Sequence, residues 1–168
     1  FCVLTGLGTR HHTRPVAAVL RDLLAGQRML AGRVSALKRR FVGFCDNNIG
    51  RLKIAQDMTF EKTGVRLPVY DVAADPEAFD KMIAETKPDE VIVTCKDCFH
   101  DVYICRAMEL GCDVITEKPM TTDEKKCQRI IDTQRKTGRK CRVSFNYRYS
   151  PPRTQVKDLL MKGVIGDV

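Results

Sequence analysis

The sequence predicts an α/β fold built on one doubly wound parallel sheet, and three observations lead there. Six short β-rich runs recur along the 168 residues. Stretches of helical period separate them. The central runs are apolar throughout rather than alternating, which is how a strand buried on both faces reads, and parallel neighbours need a crossover long enough for a helix. Composition permits such a core: 43% of residues are hydrophobic and 30% charged, and a chain of this size hides about 70% of the surface its unfolded form exposes.

The elements follow in order. The first strand is Cys-Val-Leu-Thr at 2–5, and Val16, Val19, Leu20, Leu23 and Leu24 then repeat at helical spacing. The stretch 25–40 is longer than one crossover requires and is expected to be an excursion. Strands are expected at 41–45, 67–70, 90–94, 112–116 and 141–145, with helices at 48–63, 75–85 and 99–110 between the earlier ones. A start signal at Thr121-Thr122-Asp123-Glu124 opens the next helix, in which Cys127, Ile130, Ile131 and Gln134 share a face. Pro151-Pro152 begins a last helix, 151–162, with Val156, Leu159 and Leu160 on one side. The expected division is a sheet domain over 1–150, with 151–168 a linker helix leading into a second domain. Phe1 already stands in a hydrophobic run, and Gly163, Gly166 and Asp167 lead into Val168 as if a strand were about to begin, so the whole protein is expected to extend both ways.

Charge and cysteine usage narrow the function classes. The net charge is +8, but the basic residues are scattered and the densest cluster, Lys38-Arg39-Arg40, has no aromatic interleaving, so no nucleic-acid partner is expected. No apolar run approaches the ~20 residues of a membrane span, and a cytoplasmic protein is expected. The eight cysteines sit mostly within apolar patterns and read as packed, reduced thiols. Cys95-Lys96-Asp97-Cys98 has the spacing of a redox pair or half a zinc site, yet no second close pair follows, so no metal is expected.

Chemistry concentrates where strands end. After the first strand, Gly6-Leu7-Gly8-Thr9-Arg10 gives a tight turn whose backbone can approach a pyrophosphate at a helix N-terminus. His11 stands where a third glycine would complete that fingerprint, so a plain strand-to-helix turn is the alternative. Asp46 at the end of the second strand is placed to accept both hydroxyls of an adenosine ribose and to repel a 2′-phosphate, favouring NAD over NADP. Asn47 shares its turn, and Arg51 nearby keeps NADP as the lesser option; alternatively Asp46 only caps the next helix. Open parallel sheets bind ligands beyond the carboxyl ends of their strands. Two such ends are polar: Thr94-Cys95-Lys96-Asp97-Cys98-Phe99-His100 and Thr116-Glu117-Lys118-Pro119. Lys118 at a strand tip can give and take a proton, and His100 can share that relay. The alternatives are a helix-start histidine and a solvated Glu117-Lys118 loop pair.

Together these residues carry a resemblance. Glu117-Lys118-Pro119 after the fifth strand, the Gly6-x-Gly8 turn, Asp97 with His100, Asn146-Tyr147-Arg148 and the closing Gly163-Val-Ile-Gly-Asp167 are similar to the nucleotide-binding, N-terminal part of the Gfo/Idh/MocA oxidoreductase family. The resemblance implies a Rossmann-type cofactor domain, with Lys118 as the catalytic lysine beside the nicotinamide and the substrate hydroxyl. Gly6, Gly8, Thr9 and Arg10 would line the phosphate turn, and Asp46, Asn47 and Arg51 the adenosine ribose. Thr94, Cys95, His100, Glu117, Asn146 and Arg148 would line the cofactor cleft. The implied reaction moves hydride between a CH–OH carbon of a sugar or polyol and NAD. The missing second domain would supply further substrate residues and a sheet for homo-oligomer contacts, so the 168 residues alone should lack turnover. Two departures stand out, His11 for the third glycine and Lys96 where the family usually has proline. Two other readings remain open at this stage: an NAD-dependent glycosidase using the same site, and a nucleotide-sensing regulator without chemistry. A methyltransferase would share the glycine turn and the strand-two acid, but would leave the lysine after strand five unexplained.

Overall fold

The computed structural model describes residues 2–5, 41–145 and 150–166. Its strands are β1 (Cys2–Thr5), β2 (Gly43–Asp46), β3 (Val69–Asp71), β4 (Glu90–Thr94), β5 (Asp113–Glu117) and β6 (Cys141–Ser144). The helices are α1 (Ile49–Thr63), α2 (Ala78–Thr86), α3 (His100–Glu109), α4 (Glu124–Thr137) and α5 (Pro151–Met161), with a 3₁₀ turn at Asp97–Phe99 leading into α3. The strands form one sheet in the order β3-β2-β1-β4-β5-β6, every neighbouring pair parallel. The expected doubly wound parallel sheet is therefore the observed fold, with the first strand near its centre. From β1 the chain works outward on one side to β3, then returns to the other side of β1 and continues to β6. Thr5 pairs with both Asp46 and Thr94, which sets the ends of β2 and β4 beside the point where the winding reverses. The predicted helix around Val16 to Leu24 and the excursion at 25–40 lie outside the described residues.

Alternation within strands makes the two apolar layers. Cys45, Val91, Val93 and Val114 face a core with Phe79, Met82 and Ile83 of α2, Ile104 and Met108 of α3, and Ile130 of α4. The intervening Phe44 and Ile92 face the other side, against Leu52 and Ala55 of α1. Burying each large aliphatic side chain contributes roughly 1.5–3 kcal/mol, so these layers dominate what holds the sheet together.

Several boundaries differ from expectation for local reasons. The second strand runs 43–46 rather than 41–45, so Asp46 is its last residue and Phe41 instead packs its ring 5.7 Å from that of Phe44. The third starts at Val69 rather than 67: Pro68 lacks an N–H, and only its carbonyl joins the sheet region, accepting from the Phe44 N–H at 3.1 Å. Residues 75–77 do not open α2, because the Asp75 carboxylate accepts from the Glu77 N–H at 3.0 Å and closes a turn of its own. Caps explain the ends that were placed well: Asn48 accepts from the Arg51 N–H to start α1, and Gly64, at φ 70°, ends it in a conformation that residues with a Cβ rarely adopt. Helix α5 forms at 151–161, and all of its described side chains are exposed. Among the described residues, no helix is long and apolar enough to cross a membrane.

Candidate functional site

The carboxyl edge of β2, β4 and β5 gathers the candidate residues. At the end of β2 the Asp46 side chain is fully buried. Its Oδ1 accepts from the Asn48 N–H at 2.9 Å, and Arg51 donates from Nη2 at 2.9 Å and from Nε at 3.2 Å to Oδ2. Arg51 Nη2 also donates to Asn47 Oδ1 at 3.3 Å, so these three residues form one charged turn. Burial pushes the Asp46 carboxyl above its ordinary value, and the Arg51 guanidinium works against that shift. The helix cap is Asn48, not Asp46. Asp46 organises the turn before the cap, while Arg51, a quarter exposed, forms the outer rim of the pair.

β4 ends at Thr94, partly exposed, and the turn after it opens with Cys95, which is 5% exposed. Burial holds the Cys95 thiol far above its ordinary value, which removes it from nucleophilic or redox work near neutrality. Cys98 is exposed. Among the described residues no three His, Cys, Asp or Glu side chains converge as a metal site would require.

The end of β5 carries Thr116, which is buried, and Glu117, whose Oε2 accepts from the Lys118 N–H at 3.3 Å. Lys118 is exposed, and the Lys118–Pro119 bond is cis. His100 is different. It is 1% exposed, with Nε2 2.9 Å from the Cys95 carbonyl oxygen and Nδ1 2.9 Å from that of Pro119. The histidine starts α3, and its ring is turned inward, not onto the edge beside Lys118.

Asp101 is a site-supporting residue that sequence reasoning passed over. It is 3% exposed, and Arg129 and Lys126 of α4 approach it at 3.1 and 3.6 Å. Lys126 also donates from Nζ to the Cys98 carbonyl at 2.6 Å, pinning the turn after β4 from behind. The only signal in the sequence is that Lys126 and Arg129, three apart, share a helix face, which says nothing of which acid they meet.

Gly6, Gly8, Thr9, Arg10, His11, Asn146 and Arg148 lie outside the described residues. Those described fit a bound dinucleotide. A buried carboxylate ends the strand next to the switch point, a guanidinium and an amide rim it, and an exposed lysine closes the strand two places beyond the central one.

The chain is similar to several known proteins. A 30% identical relative, glycosyl hydrolase family 109 protein 1 of Akkermansia muciniphila, aligns over 141 residues, 83% of this chain and 29% of that protein. The D-glucoside 3-dehydrogenase of Escherichia coli K12 is 33% identical over 127 residues, 76% of this chain and 33% of that protein. The crystal structure of myo-inositol 2-dehydrogenase from Lactobacillus plantarum superposes with a TM-score of 0.69 at 20% identity, covering 99% of this chain and 42% of that one. The chain thus spans about a third of the length of these curated relatives. Residues 3–145 match the family described as the oxidoreductase family with an NAD-binding Rossmann fold, and the chain belongs to that family, Gfo/Idh/MocA.

Proposed function

We propose that this chain is the cofactor-holding part of an NAD-dependent oxidoreductase that moves hydride between a CH–OH carbon of a sugar or polyol and the nicotinamide. Residues 1–150 would form the cofactor domain, and 151–168 would lead into the part that completes the substrate site. The observation that carries this reading is one shared edge: Asp46 at the tip of β2 and Lys118 just past β5 flank the switch point of a parallel sheet. The bound nicotinamide would supply the hydride acceptor. Asp46 would hold the ribose hydroxyls, Arg51 and Asn47 would rim them, and Thr94, Cys95 and Glu117 would line the cleft. The phosphate turn would be formed by Gly6, Gly8, Thr9 and Arg10, with Asn146 and Arg148 beside the cleft. Lys118 would accept the substrate hydroxyl proton as hydride leaves and return it in the reverse direction. The exposed lysine and the bond from its N–H to Glu117 Oε2 support that role, since the backbone is held while the side chain has no hydrogen-bond partner among the described residues.

A second reading has a specific observation in its favour, the glycosyl hydrolase relative aligned over 83% of this chain. In it the same lysine would take the hydroxyl proton as hydride leaves to NAD, elimination would expel the aglycone from the oxidised sugar, water would add across the resulting double bond, and hydride would return to the carbonyl, so no reduced cofactor accumulates. The deciding experiment mixes the full-length protein with NAD and a panel of polyols, free sugars and aryl glycosides. Net NADH absorbance with a polyol or sugar supports the dehydrogenase, whereas aryl alcohol release without net NADH supports the glycosidase. NAD binding with neither product would leave a nucleotide sensor. In the active case Lys118→Ala should lower turnover by about 10²-fold or more while cofactor affinity stays within a few fold, and Lys118→Arg should not restore it, because a guanidinium does not cycle a proton.

A further inference from the structure

His100 joins two turns that are separate in sequence. Its Nε2 meets the Cys95 carbonyl, five residues earlier on the turn after β4, and its Nδ1 meets the Pro119 carbonyl, nineteen residues later on the turn after β5. Thr116 Oγ1 stands 3.3 Å from the same Nδ1. A proton relay needs a ring nitrogen that can reach solvent or substrate. Here both nitrogens face main-chain oxygens, and the residue is 1% exposed. Carbonyl oxygens only accept, so both contacts are hydrogen bonds when each ring nitrogen carries a hydrogen and one of them is when a single nitrogen does; in either case the rigid ring seated between the two carbonyls sets how far apart they stand.

The surroundings add to the tie. The β4 turn is closed by the Phe99 N–H donating to the Lys96 carbonyl at 2.8 Å, and Lys126 of α4 holds the Cys98 carbonyl. The β5 turn is anchored at its start by the strand itself, through Glu117 paired with Ser144. The His100 ring contacts the Pro119 carbonyl from the start of α3, which follows the turn after β4.

We propose that His100 is a positioning residue: by bridging the Cys95 and Pro119 carbonyls it sets where the backbone carrying Lys118 stands relative to the turn after β4. The role rests on the reading of Lys118 as the acid–base group. Displacement of a reacting group by about an ångström can cost on the order of 10² in rate without loss of binding, so the effect belongs in turnover.

The test uses the full-length protein with NAD and its substrate. His100→Ala should lower kcat about tenfold or more, leave the NAD dissociation constant within about threefold, and keep the shape of the pH profile of kcat. Because the histidine acts through Lys118, His100→Ala combined with Lys118→Ala should be no slower than Lys118→Ala alone, within about threefold. His100→Gln, which can donate to one of the two carbonyls, should fall between wild type and His100→Ala, and it carries the test if the alanine variant does not fold. Without ligand, amide exchange in either variant should quicken at residues 96–99 and at 118, 120 and 121, and stay unchanged in β4 and β5. Loss of one limb of the pH profile, fully multiplicative losses in the double variant, or wild-type kcat in both His100 variants would overturn the proposal. Unchanged exchange at both turns would overturn the tie itself. Normal turnover in Lys118→Ala would instead overturn the acid–base reading and the catalytic half of this proposal, while exchange still decides the tie.

Discussion

Asp46 and Arg51 form an ion pair at the tip of β2, where the proposed function sets the adenosine ribose. The carboxylate is fully buried, yet it holds a helix-start N–H and a guanidinium that is a quarter exposed. A ribose would approach a matched pair rather than a bare charge, so the repulsion of a 2′-phosphate expected of an acid here is partly offset by Arg51. Asp46→Ala in the full-length protein should weaken NAD binding about tenfold and improve NADP relative to NAD, whereas Arg51→Ala should weaken NADP more than NAD. Titration calorimetry with both cofactors checks this; unchanged ratios in both variants would remove the pair from the cofactor site. The same carboxyl has a pH signature. Its folded value is raised from the ordinary 3.8, so the stability tied to its protonated form is fully present below 3.8 and is lost as pH rises through the raised folded value. Asp46→Asn should therefore gain on wild type in urea midpoint as pH climbs through that window, and the offset caused by the orphaned Arg51 should stay constant across it.

Among the helices, α4 links local sequence chemistry to the edge most directly. Asp123 caps it by accepting from the Lys126 N–H at 3.0 Å, and Gly138 ends it at φ 69°. The same first turn aims Lys126 at the Cys98 carbonyl and, with Arg129, at buried Asp101. Asp123→Ala should cost about 1 kcal/mol in urea denaturation, the usual worth of an N-cap. It should also loosen residues 96–99 in amide exchange, because Lys126 is fixed by that cap. A loss of stability with the β4 turn left unchanged would show that Lys126 finds the turn without its helix start. Boundary shifts at β2, β3 and α2 belong to this scale too. Pro68 and Asp75 carry readable turn chemistry, but hydrophobic runs extend past them, and periodicity alone does not say which residue of a run ends the strand.

Across the whole molecule, the two-sided core settles the cysteines. Cys45, Cys95, Cys105 and Cys112 are buried, Cys98 is exposed, and Cys127 and Cys141 are intermediate. Burial pushes the Cys141 thiol up to about 11, so partial exposure should not make it reactive near neutrality. Alkylation of the folded full-length protein, mapped by mass spectrometry, should modify Cys98 first and the four buried thiols only on denaturation. Early modification of Cys95 would mean that the turn after β4 opens in the native state. The sequence by itself determined the order of strands and helices, the parallel doubly wound sheet and the residues at strand tips. Apolar periodicity, crossover length and capping residues are local, and they act the same way wherever the chain goes. The tertiary structure alone decided what those tips do to one another. Arg51 closing on Asp46, Lys126 and Arg129 meeting Asp101, and His100 turning inward to bridge Cys95 and Pro119 all depend on distances across the packed sheet. No spacing along the chain encodes such distances, because a buried polar group takes whichever partner the packing brings within hydrogen-bond reach.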